Sequence, residues 1–170
     1  MSGGFVIEPL GTQDRSVFVC GTAALDRYLR EQASQDIKRL VASCFVAVET
    51  GTQALVGYYT LAATSVAASD LSPEFAKRLP RYPLLPAALI GRLAVDQRYQ
   101  GKGLGSALLA DAALRVLRSA MKALALIVEA KDEKAIAFYR LQGFTPFVSR
   151  PTSLYLALET FRKGANSQKG

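Results

Sequence analysis

The sequence predicts an α/β fold in one domain, and three observations lead to this. The chain has 170 residues and is half apolar, which is enough to bury one sizeable core. Short β-branched and aromatic runs alternate with segments of helical periodicity. Residues 90–109 combine an apolar strand, a glycine-rich turn and a helix start. We therefore expect one domain over residues 1–161, followed by a flexible polar tail at 162–170.

The predicted elements follow from apolar periodicity and from turn and capping residues. Thr22 is expected to cap the first helix, which would place Leu25, Tyr28, Leu29 and Gln32 on one side. In chain order we expect a strand at 5–7, a helix at 22–35, strands at 43–49 and 55–63 joined by a turn containing Gly51, a proline-containing stretch at 69–86 with a short helix at 73–79, a strand at 88–95, a helix at 104–122, a strand at 124–129, a helix around Tyr139, and strands at 145–148 and 153–158.

The turn at 98–105 has the character of an anion site. Gly101, Gly103 and Gly105 lack side chains, so successive backbone N–H groups can converge on one point. The helix that follows directs its unpaired N–H groups and the positive end of its dipole to the same place. Arg98 and Lys102 add positive charge. The segment therefore predicts a pyrophosphate cradle.

Two well-known phosphate motifs do not fit this turn. A P-loop requires Ser or Thr after its Gly-Lys pair, but Gly103 follows Lys102. A dinucleotide-binding turn requires G-x-G-x-x-G, whereas the spacing here is G-x-G-x-G. A glycine-rich strand–helix turn without a ligand remains the alternative interpretation.

The turn resembles the acyl-CoA site of the GNAT N-acetyltransferases. Arg98-x-x-Gly101-x-Gly103 matches that family's phosphate-binding turn in register. The resemblance implies a GNAT fold, with a mixed and mostly antiparallel sheet, flanking helices and acetyl-CoA as the acetyl donor.

A second segment, residues 132–144, resembles the closing signature of the same family. Asp132 stands where the family usually has Asn, and it also suits a helix N-cap, while Gly143 suits the left-handed residue that ends the helix. Tyr139 is either one more packed aromatic or, as the resemblance implies, the general acid that protonates the departing thiolate. By the same resemblance, the backbone of residues 93–95 holds the pantetheine arm and polarises the thioester. The residues expected at acetyl-CoA are Leu93, Ala94, Val95, Arg98, Gln100, Gly101, Lys102, Gly103, Leu104, Gly105, Ser106, Asp132, Ala135 and Phe138.

Composition excludes several kinds of chemistry. The chain has no histidine and two cysteines, so Ser-His-Asp and Cys-His catalysis are excluded and a metal site is not expected. Cys20 and Cys44 are too few for a disulfide scaffold. Neither a membrane span nor a secretory signal is recognisable, so we expect a cytoplasmic protein. No clear general base is recognisable; Glu129 is the nearest candidate, and a structural role is its alternative.

Charge suggests a polyanionic second substrate. There are 21 basic and 14 acidic residues, for a net charge of +7. An acetyl-CoA site accounts for a few of these charges, and contacts with backbone phosphates would use others. A solvated basic face is the alternative for any single cluster. The residues expected to contact an acceptor or its phosphates are Arg92, Lys38, Arg39, Arg78 and Arg81, and Arg115, Arg118 and Lys122 are expected on one face of the long helix.

The likeness to one GNAT subgroup extends over residues 5–160. Residues 18–21, 25–29, 56–61 and 91–96 resemble the toxins of bacterial toxin–antitoxin modules that acetylate aminoacyl-tRNA. This resemblance implies acetyl transfer to the α-amino group of charged tRNA, arrest of translation, a homodimer and a ribbon-helix-helix antitoxin. An α-amino group with a pKa near 8 also needs less help from a base than a lysine near 10.4.

Two other functions remain open at this point. One is a housekeeping GNAT enzyme that acetylates a small amine, a protein N-terminus or a lysine. The other is a CoA-binding or repressor module in which catalysis is secondary.

Overall fold

Strands and helices alternate along the chain in the computed structural model, which describes residues 4–167. The glycine-rich turn follows a short 3₁₀ turn at Gln97–Tyr99. The elements are β1 (Phe5–Pro9), α1 (Ala23–Arg27), a π-helical turn (Tyr28–Gln32), α2 (Ala33–Lys38), β2 (Ser43–Glu49), β3 (Leu55–Val66), α3 (Pro73–Ala76), β4 (Leu85–Val95), α4 (Leu104–Arg118), β5 (Ala125–Glu129), α5 (Glu133–Leu141), β6 (Thr145–Pro146), β7 (Ser153–Ala157) and α6 (Leu158–Ser167).

Seven strands form one mixed sheet in the order β1-β2-β3-β4-β5-β7-β6. The pairs β1/β2, β2/β3, β5/β7 and β6/β7 are antiparallel, whereas β4 and β5 run parallel. A parallel pair requires a crossover connection, and α4 lies in the segment that links β4 to β5. The predicted mixed and mostly antiparallel sheet with flanking helices is confirmed.

The chain divides into two compact units, and the first contains the glycine-rich turn. It comprises the described residues through Ala62 together with Gly91–Ala112. Its core joins Tyr28 of the first helix and Tyr58 of β3 with Phe18, which lies in the loop before α1. Tyr58 is fully buried and donates a hydrogen bond from its hydroxyl to the Leu25 carbonyl at 2.7 Å. This core fixes the position of the first helix.

The second unit contains α5 and comprises Ala63–Ile90 together with the described residues from Ala113 onward. Its core centres on Tyr155, whose ring stacks on Phe75 and contacts Phe147. The Tyr155 hydroxyl accepts a hydrogen bond from the Ser72 N–H at 2.9 Å. Ser72 also caps α3, since its hydroxyl accepts from the Phe75 N–H.

The first helix differs from its prediction. It continues to Lys38 and includes the π turn, which has one residue more per turn than an α-helix. The wider turn moves the buried position from Gln32, which is exposed, to Ala33. Thr22 occupies the N-cap position, but its side chain makes no capping hydrogen bond to the first turn.

Several further elements have other lengths than expected, and α3, for example, ends at Ala76 instead of residue 79. Helix α4 ends at Arg118, so Lys122 lies in the following loop, where its Nζ donates to the Ser119 carbonyl at 3.2 Å. Strand β6 has two residues instead of four. Helix α6 extends through residues 162–167, part of the predicted flexible tail. Residues 168–170 lie outside the described part of the chain, and the tail's flexibility stays a prediction. Within residues 4–167, no helix is both long and apolar enough to cross a membrane.

Candidate active site

The glycine-rich turn needs its glycines for backbone conformation. Gly101 and Gly103 have φ angles of 77° and 84°, which side-chain-bearing residues rarely adopt. A Cβ built at either position meets no atom within 4 Å, so close packing is not the reason. Helix α4 begins at Leu104, directly after the turn, and its first N–H groups lack intrahelical acceptors. The turn and this helix end form an exposed group of backbone donors that fits a pyrophosphate.

Arg98 is tied to Asp96 at the start of the turn. Its Nε donates to Asp96 Oδ1 at 3.0 Å and one terminal nitrogen donates to Oδ2 at 3.1 Å. Burial tends to raise the pKa of Asp96, but the hydrogen bonds from Arg98 and from the Val19 N–H, together with the charge of Arg98, outweigh it and lower that pKa. The pair holds the turn against the strand end, with the Arg98 side chain 59% exposed. Arg98 therefore has a structural role, and its contact with a phosphate stays a prediction.

Two other predicted residues of the turn are also placed by the fold. The Gln100 side chain donates to the carbonyls of Cys20 and Val95, at 2.9 and 2.8 Å, so its amide joins the turn to neighbouring backbone. Lys102 is exposed, with its Nζ 5.6 Å from the centre of the Tyr99 ring. Lys102 is thus available to a ligand, while Gln100 supports the shape of the turn.

The strand before the turn has backbone that is not committed to β5. The parallel register of β4 with β5 covers Ala87–Ile90 and ends there. Leu93–Val95 lie beyond this register. Apart from the Val95 carbonyl, which already accepts from Gln100, their polar groups on that edge can therefore bind an extended polar chain such as a pantetheine arm by strand-like hydrogen bonds.

In the second unit, α5 begins and ends as the sequence predicts. Asp132 is its N-cap, and Oδ1 accepts from the Ala135 N–H at 2.8 Å. Gly143 has a φ angle of 96° and follows the helix, as expected for a left-handed terminating residue. Phe138 and Ala135 are half-buried on this helix. The cap and the terminating glycine set where α5 begins and ends.

Tyr139 has a buried ring and a hydroxyl without a hydrogen-bond partner among the described residues. The side chain is 8% exposed and packs between Phe138 and Phe144, with ring centres at 5.3 and 5.6 Å. Because no fully buried polar side-chain atom of residues 4–162 lacks a partner, the Tyr139 oxygen reaches the protein surface. Burial raises the pKa of Tyr139 to about 12. At neutral pH the hydroxyl is therefore a protonated, accessible donor.

The other buried tyrosines use their hydroxyls for structure. Tyr28 donates to Asp36, Tyr58 to the Leu25 carbonyl and Tyr59 to Asp111, and Tyr155 accepts from the Ser72 N–H. This contrast singles out Tyr139.

Glu129, the candidate general base, is engaged at the end of β5. The buried Ser153 hydroxyl donates to Glu129 Oε2 at 2.7 Å. This contact favours the structural interpretation of Glu129. Among residues 4–167, no cluster of three or more His, Cys, Asp or Glu side chains could hold a metal ion.

The predicted acceptor residues are distributed over both units. Lys38 and Arg39 are exposed at the end of α2. Arg78 and Arg81 are exposed in the second unit, where Arg78 lies 3.8 Å from Glu159 in an ion pair. Arg92 is half-buried on β4, and its guanidinium carbon lies 3.6 Å from the centre of the Tyr28 ring.

Sequence reasoning missed the parts of the site that depend on tertiary contacts. Asp96, 1% exposed, was not identified, although an Asp directly before a turn is a capping signal that could have indicated it. The stacking of Arg92 on Tyr28 joins residues far apart in the chain, and no local pattern marks it.

Comparisons with known proteins agree with this geometry. The family model described as "Acetyltransferase (GNAT) family" matches residues 17–144. A tRNA-acetylating toxin of Mycobacterium tuberculosis is 36% identical over 151 residues, which is 88% of this chain and 89% of that protein. The solved structure of AtaT complexed with acetyl-methionyl-tRNAfMet has a TM-score of 0.86 and 29% identity, covering 94% of this chain and 98% of that one.

A mutant AtaT toxin bound to the C-terminus of the antitoxin AtaR and to acetyl-CoA is also similar. Its TM-score is 0.77 at 26% identity, and the match covers 92% of this chain and 94% of that one. The family model covers the strand–turn–helix and the helix of Tyr139, and the mixed sheet agrees with it. The chain therefore belongs to the GNAT family of acetyl-CoA-dependent acetyltransferases.

Proposed function

We propose that this protein acetylates the α-amino group of the amino acid on charged tRNA, and that it acts as a translation-inhibiting toxin of a type II toxin–antitoxin module. The observation that carries the proposal is the Tyr139 hydroxyl, protonated, accessible and free of any structural partner in the described chain. Similarity over most of both chains to a tRNA-acetylating toxin supports the choice of acceptor.

In this mechanism the donor's phosphates bind the turn at residues 101–105 and the α4 N-terminus, and Leu93–Val95 hold its pantetheine arm. The neutral amine attacks the thioester carbon, so a C–N bond forms while the C–S bond breaks. Tyr139 gives its proton to the departing sulfur and recovers one from solvent, and the amine loses its extra proton to solvent. Backbone donors of β4 stabilise the oxyanion that forms on the thioester oxygen.

The described residues offer no general base that is free to act, and this favours an α-amino group as the acceptor. Glu129 is held by Ser153. An α-amino group has a pKa of about 8, and esterification of the neighbouring carboxyl lowers it further, so much of it is neutral at physiological pH. A lysine with a pKa of about 10.4 would need a base to attack at a comparable rate.

The basic surface supports a tRNA acceptor. Lys38 and Arg39 are exposed, and neither is in an ion pair with residues 4–167, so both can neutralise backbone phosphates. We further propose a homodimer, which would join two such surfaces, a ribbon-helix-helix antitoxin and action in the cytoplasm. The similarity to a toxin bound to its antitoxin's C-terminus supports the antitoxin.

Labelled acetyl-CoA, incubated with the protein and with total tRNA that is either charged or deacylated, tests the proposal. We expect label on charged tRNA alone, and a strong reduction with Tyr139→Phe. Label on small amines or proteins, with none on charged tRNA, would instead support a housekeeping acetyltransferase. Arrest of growth on expression, relieved by a co-expressed antitoxin, tests the toxin assignment separately.

A further inference from the structure

Arg92 sits at the end of a column of stacked side chains in the first unit. Its guanidinium lies over the Tyr28 ring at 3.6 Å, and the Tyr28 ring stacks on Tyr58 with centres 6.3 Å apart and planes at 14°. The Tyr28 hydroxyl donates to Asp36 Oδ2 at 2.7 Å. The ring of Tyr28 is held by its stacking on Tyr58, and its hydroxyl is held by Asp36. The ring is therefore a rigid support for the guanidinium.

The support is built on the π-helical turn. Tyr28 is the first residue of that turn, and Asp36, its hydrogen-bond partner, lies on α2 beyond it. Single π turns cost helix stability and occur often at functional sites. Here the turn adjusts the helix so that Tyr28 contacts both Asp36 and Arg92.

The donors of Arg92 are unused. The side chain is half-buried, and it makes no ion pair and no side-chain hydrogen bond with residues 4–162; its backbone N–H donates to Thr60 Oγ1 at 3.1 Å. Two other arginines of this unit are engaged, Arg98 by Asp96 and Arg15 by the carbonyls of Leu29 and Gly11. A guanidinium with one face covered and its edge donors unpaired is pre-organised to bind two oxygens of one anion.

The identity of the anion follows from the proposed function, on which this inference rests. In charged tRNA the carboxyl group of the amino acid is esterified, so the anions nearest the reacting amine are phosphodiesters. Arg92 immediately precedes Leu93–Val95, the backbone assigned to the acetyl donor. We propose that Arg92, held in place by Tyr28 and Asp36, binds the terminal phosphodiester of the acceptor and so sets the position of the amine.

Acceptors of decreasing size test this directly. Charged tRNA, the aminoacylated dinucleotide CpA and aminoacyl-adenosine carry the same amino acid, but the last has no phosphodiester. We expect Arg92→Gln to raise KM about 10- to 100-fold for the first two acceptors, since one bidentate charged contact is lost. KM for aminoacyl-adenosine and for acetyl-CoA should not change. Arg92→Lys, which keeps the charge without the planar fork, should give an intermediate effect.

A second measurement does not depend on turnover of the small esters. CpA and its uncharged methylphosphonate analogue are compared as competitive inhibitors. With the wild-type protein CpA should inhibit more strongly than the analogue, and with Arg92→Gln the two should inhibit equally. Tyr28→Phe, which keeps the ring but loses the bond to Asp36, should show a smaller loss of the same selectivity while acetyl-CoA binding is retained.

Arg27→Gln is the matched control, because Arg27 is an exposed arginine on the adjoining helix without an aromatic support. An equal rise in KM with Arg27→Gln would show that Arg92 acts only through its positive charge and not through a specific contact. That result would overturn the inference. A rise for aminoacyl-adenosine as large as for CpA, or a changed KM for acetyl-CoA, would also overturn it. Failure of the wild-type protein to acetylate any charged tRNA would instead refute the proposed function.

Discussion

Tyr139 differs from the other buried tyrosines in what its hydroxyl contacts. The hydroxyl has no partner within residues 4–167, so removing it should cost the fold little. The sequence already identified this residue through its place in a family signature. The free hydroxyl could not be predicted, because it depends on what packs around the ring, here Phe138 and Phe144.

Tyr139→Phe should lower kcat on the order of 100-fold, since positioned general acids contribute at least that much. The dissociation constant for acetyl-CoA and the melting temperature should stay near the wild-type values. Tyr155→Phe is the matched control: it leaves the Ser72 N–H without its acceptor and should cost about 1 kcal/mol of stability with kcat unchanged. An unchanged kcat in Tyr139→Phe would remove this residue from the mechanism.

At low pH, the dependence of kcat/KM on pH should follow the deprotonation of the acceptor's amine. The amine must lose a proton to react, so kcat/KM should rise with pH and level off above about pH 8. Burial raises the pKa of Tyr139 to about 12, so its proton remains in place throughout this range. Rates measured from pH 6 to 10 check this. A decline between pH 8 and 10 that disappears in Tyr139→Phe would contradict the raised pKa of Tyr139, although it would keep this residue as the acid.

At the scale of elements, the sequence predicts the strand–turn–helix correctly. It predicts the first helix only in part. Glycine spacing and the helix start are local signals, and both are found where the sequence places them. Periodicity placed Tyr28 and Leu29 on the buried face correctly, but it put Gln32 there in place of Ala33. The π turn has no local signal. It depends on contacts such as the bond from Tyr28 to Asp36, which lies outside the turn.

Replacing Gly103 by alanine should weaken acetyl-CoA binding by distorting the turn. Since a new Cβ meets no atom within 4 Å, the cost comes from the left-handed backbone, about 1–2 kcal/mol. Calorimetric titration with acetyl-CoA and a thermal melt measure the two effects. Gly51→Ala is the control, because its Cβ would also meet nothing within 4 Å and its φ is not in the left-handed region. Equal effects of the two substitutions would show that the conformation of Gly103 is not required.

At the scale of the whole molecule, the net positive charge could be predicted from composition. Which cationic side chains are available to a partner could not. The excess of 21 basic over 14 acidic residues suggests a polyanionic partner. The structure shows which cations are already engaged, since Arg78 is paired with Glu159 and Arg98 with Asp96. Lys38 and Arg39 are exposed and outside these ion pairs. Composition alone does not distinguish these two classes.

The double variant Lys38→Gln, Arg39→Gln should raise KM for charged tRNA and make its salt dependence shallower. Each phosphate contact contributes about 0.7 to 0.9 to the slope of log K against log salt, so the slope should change by about 1.5. Titrations between low and physiological salt give this slope, with KM for acetyl-CoA as the internal reference. Arg78→Gln should change the slope less, because Glu159 already compensates that charge. An unaltered slope in the double variant would assign residues 38 and 39 to a solvated surface.

The π turn at Tyr28–Gln32 also has a consequence for how this chain is aligned with its relatives. A π turn accommodates one residue more than an α-helix of the same length, so it is structurally equivalent to a single-residue insertion. A relative with an uninterrupted α-helix here would need a one-residue gap between Tyr28 and Asp36. An alignment without that gap would shift α2 by about 100° of helical rotation and match Ala33 to a surface position.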